Sequence, residues 1–306
     1  MQTMDKIVAV IVTFNRKNLL KRCVEHLRSQ SQKLTSIVIV NNGSTDGTAE
    51  WLDAQTDLTV IHQENVGGSG GFYRGIQFAY EKEFDWIWCM DDDVYPEPDC
   101  LERLLSHYDS KTGAICPLRK QQGEIFLSEV KTFNLTNPFK SLHAYELTKE
   151  DIEGKNEVSI EGFTFEGPLF KRESIKAVGM PNKDLFILYD DSDYCYRLVK
   201  AGFTVKLATD AIMNKEKFFN GDSREEQIQK SKWKLYYHIR NTVYFNRTYG
   251  KNWWVRHFRS ICVMMQYQGY VVKNILFNKK YALSDMKVFF QAYKDGVRNN
   301  LGKKDK

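Results

Sequence analysis

Residues 84–94 read FDWIWCMDDDV. An aromatic and β-branched run that ends in three acids reads as a buried strand over 84–90, with Asp91, Asp92 and Asp93 at its exit. In extended backbone, residues i and i+2 share a face, so Asp91 and Asp93 point the same way. Two carboxylates side by side repel each other unless a cation joins them. A hard divalent ion, Mg2+ or Mn2+, with water and phosphate oxygens completing its shell, suits such a pair. An acidic helix start or a solvated turn would use the same residue types. The surrounding pattern decides between these readings.

Upstream, 7–13, 36–40 and 58–62 are three more strand-like runs. Helical spacing at 18–28, 48–54 and 75–82 separates them, and 98–108 follows the fourth strand as another helix. A β-α unit repeated four times predicts an α/β fold: a mostly parallel central sheet flanked by helices. Such sheets bind ligands at the carboxyl ends of their strands. The residues found there are TFNR (13–16), NNGSTDG (41–47), NVGGSGGFYRG (65–75) and the three acids. Downstream, 111–165 is less regular, with a variable loop around 120–156. A short strand or turn and a helix follow over 166–178, a helix over 190–201 and a strand over 203–208. Three helices are expected at 228–247, 253–277 and 284–299. The expected division is an α/β domain over 1–215 and a helical region over 216–306.

The stretch 65–75 holds five glycines in eleven positions and ends near Arg74. Read as a loop, it lets backbone approach a ligand and converge N–H groups on an anion, with Arg74 as a cationic fork for phosphate. No GK[ST] follows, so it is not a Walker loop. A dinucleotide fingerprint would follow the first strand, where TFNR stands instead. A mobile surface loop is the plainer alternative. A second acidic cluster lies in FILYDDSDYCYRL (186–198), where Asp190, Asp191 and Asp193 open a helix. Capping and an Asp193–Arg197 pair account for two of these acids. The third, beside Tyr189 and Tyr194, is free to serve as a general base.

Hydrophobic residues at 42% and charged residues at 27% give a globular chain rather than a disordered one. Six cysteines form neither a CxxC pair nor a zinc spacing, which points to a reducing cytoplasm and to cysteines as packing residues. No apolar run reaches the length of a membrane span, and the start lacks a signal-peptide pattern. The net charge of +5 is concentrated after Lys215, where Lys and Arg alternate with Trp, Tyr and Phe. No nucleic-acid-reading motif accompanies it, so no nucleic-acid partner is expected.

Six segments in order, VAVIVTFNRKNLLKRCVEHLRSQS, IVIVNNGSTDGT, NVGGSGGFYRG, WIWCMDDDVYPEPDCLERLL, FEGPLFKRESIKAVGMP and FILYDDSDYCYRLVKAGF, together resemble the family 2 glycosyltransferases of GT-A fold. The resemblance covers about residues 5–210. It implies an inverting hexosyltransferase acting from a nucleotide-diphospho-sugar. Thr13, Asn15 and Arg16 would line the nucleotide pocket. Asn41 would take the place of a base-contacting residue that is usually acidic in the family. Gly67, Gly68 and Arg74 would lie near the diphosphate. Asp91 and Asp93 match the outer acids of the metal-binding DxD motif, with Asp92 between them on the donor side. Asp191 matches the catalytic base and Asp190 its orienting neighbour, with Tyr189 and Glu166 on the acceptor side. Many relatives carry a metal-binding His where this chain has Asn214, followed by Lys215. Asn offers a weaker, neutral oxygen, and Lys215 is a candidate to supply part of the cation's charge.

The pattern is most similar to bacterial galactofuranosyltransferases and related rhamnosyltransferases. It implies UDP-galactofuranose as donor, with dTDP-rhamnose as the runner-up. The basic, aromatic tail suits peripheral contact with the inner face of the cytoplasmic membrane. Lipid-linked oligosaccharides of capsule or O-antigen assembly, the expected acceptors, lie there. Packing onto the catalytic domain or into a homodimer would use the same aromatics. A reading of another class is a non-catalytic sugar-nucleotide-binding or scaffold protein, suggested by Asn214.

Overall fold

The computed structural model describes residues 5–217, 223–277 and 281–304. In chain order it runs β1 (Ile7–Thr13), α1 (Lys17–Arg28), β2 (Ser36–Asn41), α2 (Thr48–Asp53), β3 (Leu58–His62), α3 (Gly67–Glu81), β4 (Trp86–Asp91), β5 (Val94–Pro96) and α4 (Cys100–Ser106). The less regular middle holds β6 (Thr112–Gln121), β7 (Glu124–Phe126), β8 (Val130–Thr132), β9 (Tyr145–Glu146), α5 (Lys149–Ile152), β10 (Glu157–Ser159), β11 (Leu169–Lys171) and α6 (Arg172–Val178). Then come α7 (Asp190–Lys200), β12 (Thr204–Lys215), α8 (Arg224–Ser231), α9 (Lys234–Tyr249), a π-helical stretch (Trp254–Arg259), α10 (Ser260–Phe277) and α11 (Leu283–Arg298).

The chain divides into two compact units. The first comprises residues up to Thr132, Glu146–Lys183 and Asp190–Lys217. Its sheet has the order β10-β12-β6-β11-β4-β1-β2-β3, with β5 on β12 and β7 on β6. The β4-β1-β2-β3 half is parallel, as the repeated β-α pattern requires. The other half is mixed, because β11 inserts antiparallel between β4 and β6. Register aligns the strand exits: Thr13 pairs with Asn41, Asn41 with His62 and Val12 with Asp91.

Alternation sends Val8, Val10 and Val12 to one face of β1, against Phe72, Ile76 and Ala79 of α3. It sends Ile7, Ala9 and Ile11 to the other, against Leu20, Val24 and Leu27 of α1 and Leu101 and Leu104 of α4. A strand buried on both faces in this way has no polar alternation, which is why β1 reads IVAVIVT.

The glycine stretch corrects the sequence expectation. It is not a loop before a helix at 75; α3 begins at Gly67 and contains the glycines. A Cβ at Gly71 would lie 2.5 Å from Val12 Cγ1, and one at Gly75 would lie 2.3 Å from Val10 Cγ1. Bare backbone here brings the helix close onto the sheet.

The second unit comprises Phe133–Tyr145, Asp184–Tyr189 and the chain from Phe218 onward. It therefore takes in two segments that lie within the expected first domain. The helix expected over 228–247 is two helices, α8 and α9. Its core gathers Tyr236, Tyr237, Ile239, Val271, Phe289 and Ala292. Asn241, fully buried on α9, donates to the carbonyls of Leu185 (3.1 Å), Ile187 (3.0 Å) and Leu188 (2.8 Å). These bonds hold a segment in which Phe186, Leu188 and Tyr189 have φ of 66°, 66° and 68°. Left-handed backbone at bulky residues is costly and persists only where its surroundings fix it. Among the described residues no helix is long and apolar enough to cross a membrane.

Candidate active site

The site is built at the exits of β1 and β4 in the first unit. The Thr13 hydroxyl, at the end of β1, donates to Asp92 Oδ2 at 2.7 Å. Arg16, three residues on, reaches Asp92 Oδ1 at 3.1 Å and Asp93 Oδ2 at 3.2 Å. Burial raises the Asp92 carboxyl to about 6, although Arg16 and Thr13 pull it down. Asn15 (φ 54°) accepts from the Thr45 N–H at 2.7 Å and so ties the loop after β1 to the loop after β2. Asn41 accepts from the Ser44 N–H at 3.1 Å, and its Nδ2 lies 3.0 Å from His62 Nδ1. Both asparagines are engaged in shaping the strand exits.

Asp91, Asp93 and Glu166 offer carboxylate oxygens that all lie within 4.8 Å of one another. The third acid arrives through β11, whose antiparallel register with β4, continued backwards, sets Glu166 beside Asp91. Glu166 was expected on the acceptor side; it is a member of the acidic cluster. Burial and the neighbouring acids raise Asp91 well above the usual carboxylate range, and burial raises Asp93. Asp93 Oδ1 is buried and accepts no hydrogen bond among the described residues. Hard oxygen donors, mutual repulsion and an orphaned buried oxygen fit a divalent cation.

Two basic residues flank the cluster. Pairing of β5 with β12 sets Lys215 opposite Val94, and the Lys215 ammonium pairs with Glu166. Strand alternation turns the neighbouring Asn214 to the opposite face, so Lys215 rather than Asn214 meets the carboxylates. Arg119, buried on β6, pairs with both Glu166 and Glu129 and donates to Thr164 Oγ1 at 2.8 Å. Burial opposes the ionisation of Glu166, but Arg119 and Lys215 offset it and hold Glu166 below its ordinary value. Arg119 did not stand out in the sequence. A lone Arg in a β-strand run was its one signal.

Asp190 and Asp191 open α7, and Asp191 Oδ1 accepts from the Ser192 N–H at 2.6 Å. Burial raises both carboxyls; Asp190 pushes Asp191 up further, and Glu166 adds to that push. A carboxyl whose proton affinity is raised is suited to take a proton from a hydroxyl. Asp193 is buried and pairs with Arg197 at 3.0 Å, while Arg197 also caps the carbonyls of Val178 and Met180 at 2.8 Å each. Gly67 and Gly68 lie in the first turn of α3, a helix start that favours an anion; the Gly67 N–H donates to Asn65 Oδ1 at 3.0 Å, and among the described residues nothing lies within 4 Å of a Cβ placed at Gly68. Arg74 lies farther along α3, exposed and without an ion-pair partner among the described residues. Tyr189 belongs to the second unit, where its hydroxyl accepts from Thr242 at 2.8 Å.

Comparison with known proteins bears on what this arrangement is. The sequence pattern of glycosyl transferase family 2 matches residues 8–179, more than half the chain. Galactofuranosyltransferase GlfT1 of Mycolicibacterium smegmatis is 29% identical over 212 residues, 65% of this chain and 67% of that protein. The dTDP-rhamnosyl transferase RfbF of Shigella flexneri is 26% identical over 219 residues, 68% of each chain. Among solved structures, GalNAc-T7 with UDP, GalNAc and Mn2+ is similar with a TM-score of 0.57 at 13% identity. That match covers 92% of this chain, which spans 59% of the GalNAc-T7 chain, and at such identity it speaks to the fold alone. The chain belongs to glycosyl transferase family 2, and it is a glycosyltransferase of GT-A-like fold.

Proposed function

We propose that this enzyme transfers a hexosyl group from a nucleotide-diphospho-sugar to a glycan hydroxyl with inversion at the anomeric carbon. The observation that carries the proposal is the pairing of two acid groups in one unit. One is a cation-ready cluster, Asp91, Asp93 and Glu166; the other is the buried Asp190 with the half-buried Asp191, both of raised proton affinity. Asp191 takes the proton of the acceptor hydroxyl as its oxygen attacks the anomeric carbon. The bond to the diphosphate breaks in the same step, and the nucleoside diphosphate leaves. One base without a covalent carboxylate intermediate gives inversion. A divalent ion held by Asp91 and Asp93, with Glu166 beside them, would neutralise the diphosphate charge. Asp190 orients Asp191 and tunes it electrostatically. The first turn of α3 meets the diphosphate, and Arg16 fixes Asp92 and Asp93.

UDP-galactofuranose is the proposed donor, supported by the likeness to GlfT1. The likeness to RfbF favours dTDP-rhamnose as the second reading. The proposed acceptor is a lipid-linked oligosaccharide of bacterial surface polysaccharide synthesis, met at the inner face of the cytoplasmic membrane. The test is release of nucleotide from UDP-galactofuranose, UDP-galactopyranose, UDP-glucose, UDP-N-acetylglucosamine and dTDP-rhamnose, with Mg2+, Mn2+ or chelator. Release from UDP-galactofuranose that chelator abolishes supports the reading. Release from dTDP-rhamnose alone selects the second, and binding of a donor with no transfer to any acceptor selects a non-catalytic binding protein.

A further inference from the structure

The second unit carries an apolar surface with a particular charge pattern. Phe139 is 82% exposed, Trp253 59% and Trp254 56%. They are linked by rings in contact: Phe139 to Phe258 with centroids 5.7 Å apart, Phe258 to Trp254 at 5.7 Å, and Trp254 to Trp253 at 5.1 Å. On α10, Ile261, Met265, Gly269, Val272 and Leu276 follow one another at helical spacing and share a face. Met265 is 62% exposed and Leu276 71%, and among the described residues nothing lies within 4 Å of a Cβ placed at Gly269. The stripe is about 22 Å long at the helical rise. The inner side of the helix is occupied: Val271 and Asn274 are buried, and Tyr267 packs on Phe289 with ring centroids 5.9 Å apart.

Charge selects the occupant. Residues 133–145 and 251–277, which carry this surface, contain Lys140, Lys251, Arg256, Arg259 and Lys273 and no Asp or Glu. Lys140, Lys251, Arg256 and Lys273 are exposed. A second copy presenting the same face would set cations against cations. An anionic bilayer offers apolar depth for the stripe, an interfacial layer for the tryptophans and counter-charge for the rim.

We infer that this face docks on an anionic lipid surface, with Trp253 and Trp254 at headgroup level and the Ile261–Met265–Val272–Leu276 stripe along the acyl boundary. The inference deepens the reading of a lipid-linked acceptor. It rests on the second unit alone, however, and vesicle binding is measured without donor or acceptor, so the two fail separately.

The test is co-sedimentation of the full chain with vesicles of phosphatidylglycerol and phosphatidylcholine, beside vesicles of phosphatidylcholine alone. Wild type should bind the anionic vesicles roughly tenfold more tightly, with the preference lost at about 0.5 M salt. Tryptophan emission should shift to the blue on binding. The double variant Met265→Glu, Leu276→Glu should lose binding roughly tenfold or more, because a charge set into the acyl boundary is costly, and should keep its melting temperature. Lys140→Glu with Lys273→Glu, on exposed positions, should lose only the anionic preference. No sedimentation with anionic vesicles at low salt overturns the inference, as does undiminished binding by both double variants. A homodimer that the Met265→Glu, Leu276→Glu variant breaks, in the absence of vesicle binding, also overturns it and makes the face a self-interface.

Discussion

Replacing Gly75 with Ala tests why α3 is rich in glycine. The new methyl carbon would lie 2.3 Å from Val10 Cγ1 and 3.2 Å from Val40 Cγ2. Carbons in contact settle at roughly 3.5–4.0 Å, so α3 must retreat by about 1 Å or Val10 must leave its rotamer. Val10 and Val40 are fully buried on β1 and β2 and have nowhere to go. Overpacking of this kind costs about 1–3 kcal/mol. The better helix propensity of Ala offsets about 1 kcal/mol. The net expectation is a loss of up to about 2 kcal/mol, at most a few degrees in melting temperature for a domain of this size. Gly68→Ala is the internal control: its Cβ meets open space, so stability should be unchanged or rise by up to about 1 kcal/mol. Thermal and urea unfolding followed by circular dichroism, without ligand, measures both. A Gly75→Ala variant more stable than wild type would refute close packing as the reason for the glycines and return them to a ligand-facing role.

Arg119→Met should destabilise the protein by about 3–5 kcal/mol, because Glu129 and Glu166 lose a buried partner; equal denaturant midpoints for variant and wild type would contradict this. Lys215→Met removes the ammonium paired with Glu166, so the acidic cluster should bind Mn2+ more tightly in an electron paramagnetic resonance titration, and unchanged or weaker binding counts against the account. The raised Asp190 and Asp191 set the pH behaviour. Their folded-state proton affinity exceeds the unfolded value, so the stability they contribute is present below about pH 4 and is lost as pH rises through the raised folded values. Activity has the opposite sign, since the base must be ionised: kcat/KM should rise with pH through a value above the ordinary carboxylate range. Asp190→Asn should move that acidic limb to lower pH by removing the charge that pushes Asp191 up, and a limb that stays put would show that Asp190 does not tune it.

The parallel half of the fold was readable because its strands are rich in apolar and β-branched residues and each exit ends in polar residues. β1 and β3 have the bounds expected from the sequence, 7–13 and 58–62. The three acids stood out because period-two geometry puts Asp91 and Asp93 on one side. The start of α3 was hidden because glycine disfavours helices locally, and only Val10, Val12 and Val40 across the interface justify it. The partners of the acidic cluster were hidden by distance along the chain. Arg119 and Lys215 lie 47 and 49 positions from Glu166, and they meet it through β11, a strand of three residues placed antiparallel in a mostly parallel sheet. No local periodicity encodes such an insertion. The segment 184–189 was read through as part of the first domain, and it is the long-range bonds from Asn241 that assign it to the second unit.

Asp191 is the proposed base of the glycosyl transfer. The direct test compares wild type and Asp191→Asn with the donor that wild type turns over, using calorimetric donor binding and nucleotide release with acceptor present. Donor affinity should stay within about twofold of wild type, with turnover lower by about 10²–10⁴-fold. Turnover by Asp191→Asn near the wild-type rate would contradict it and require another group to take the acceptor's proton.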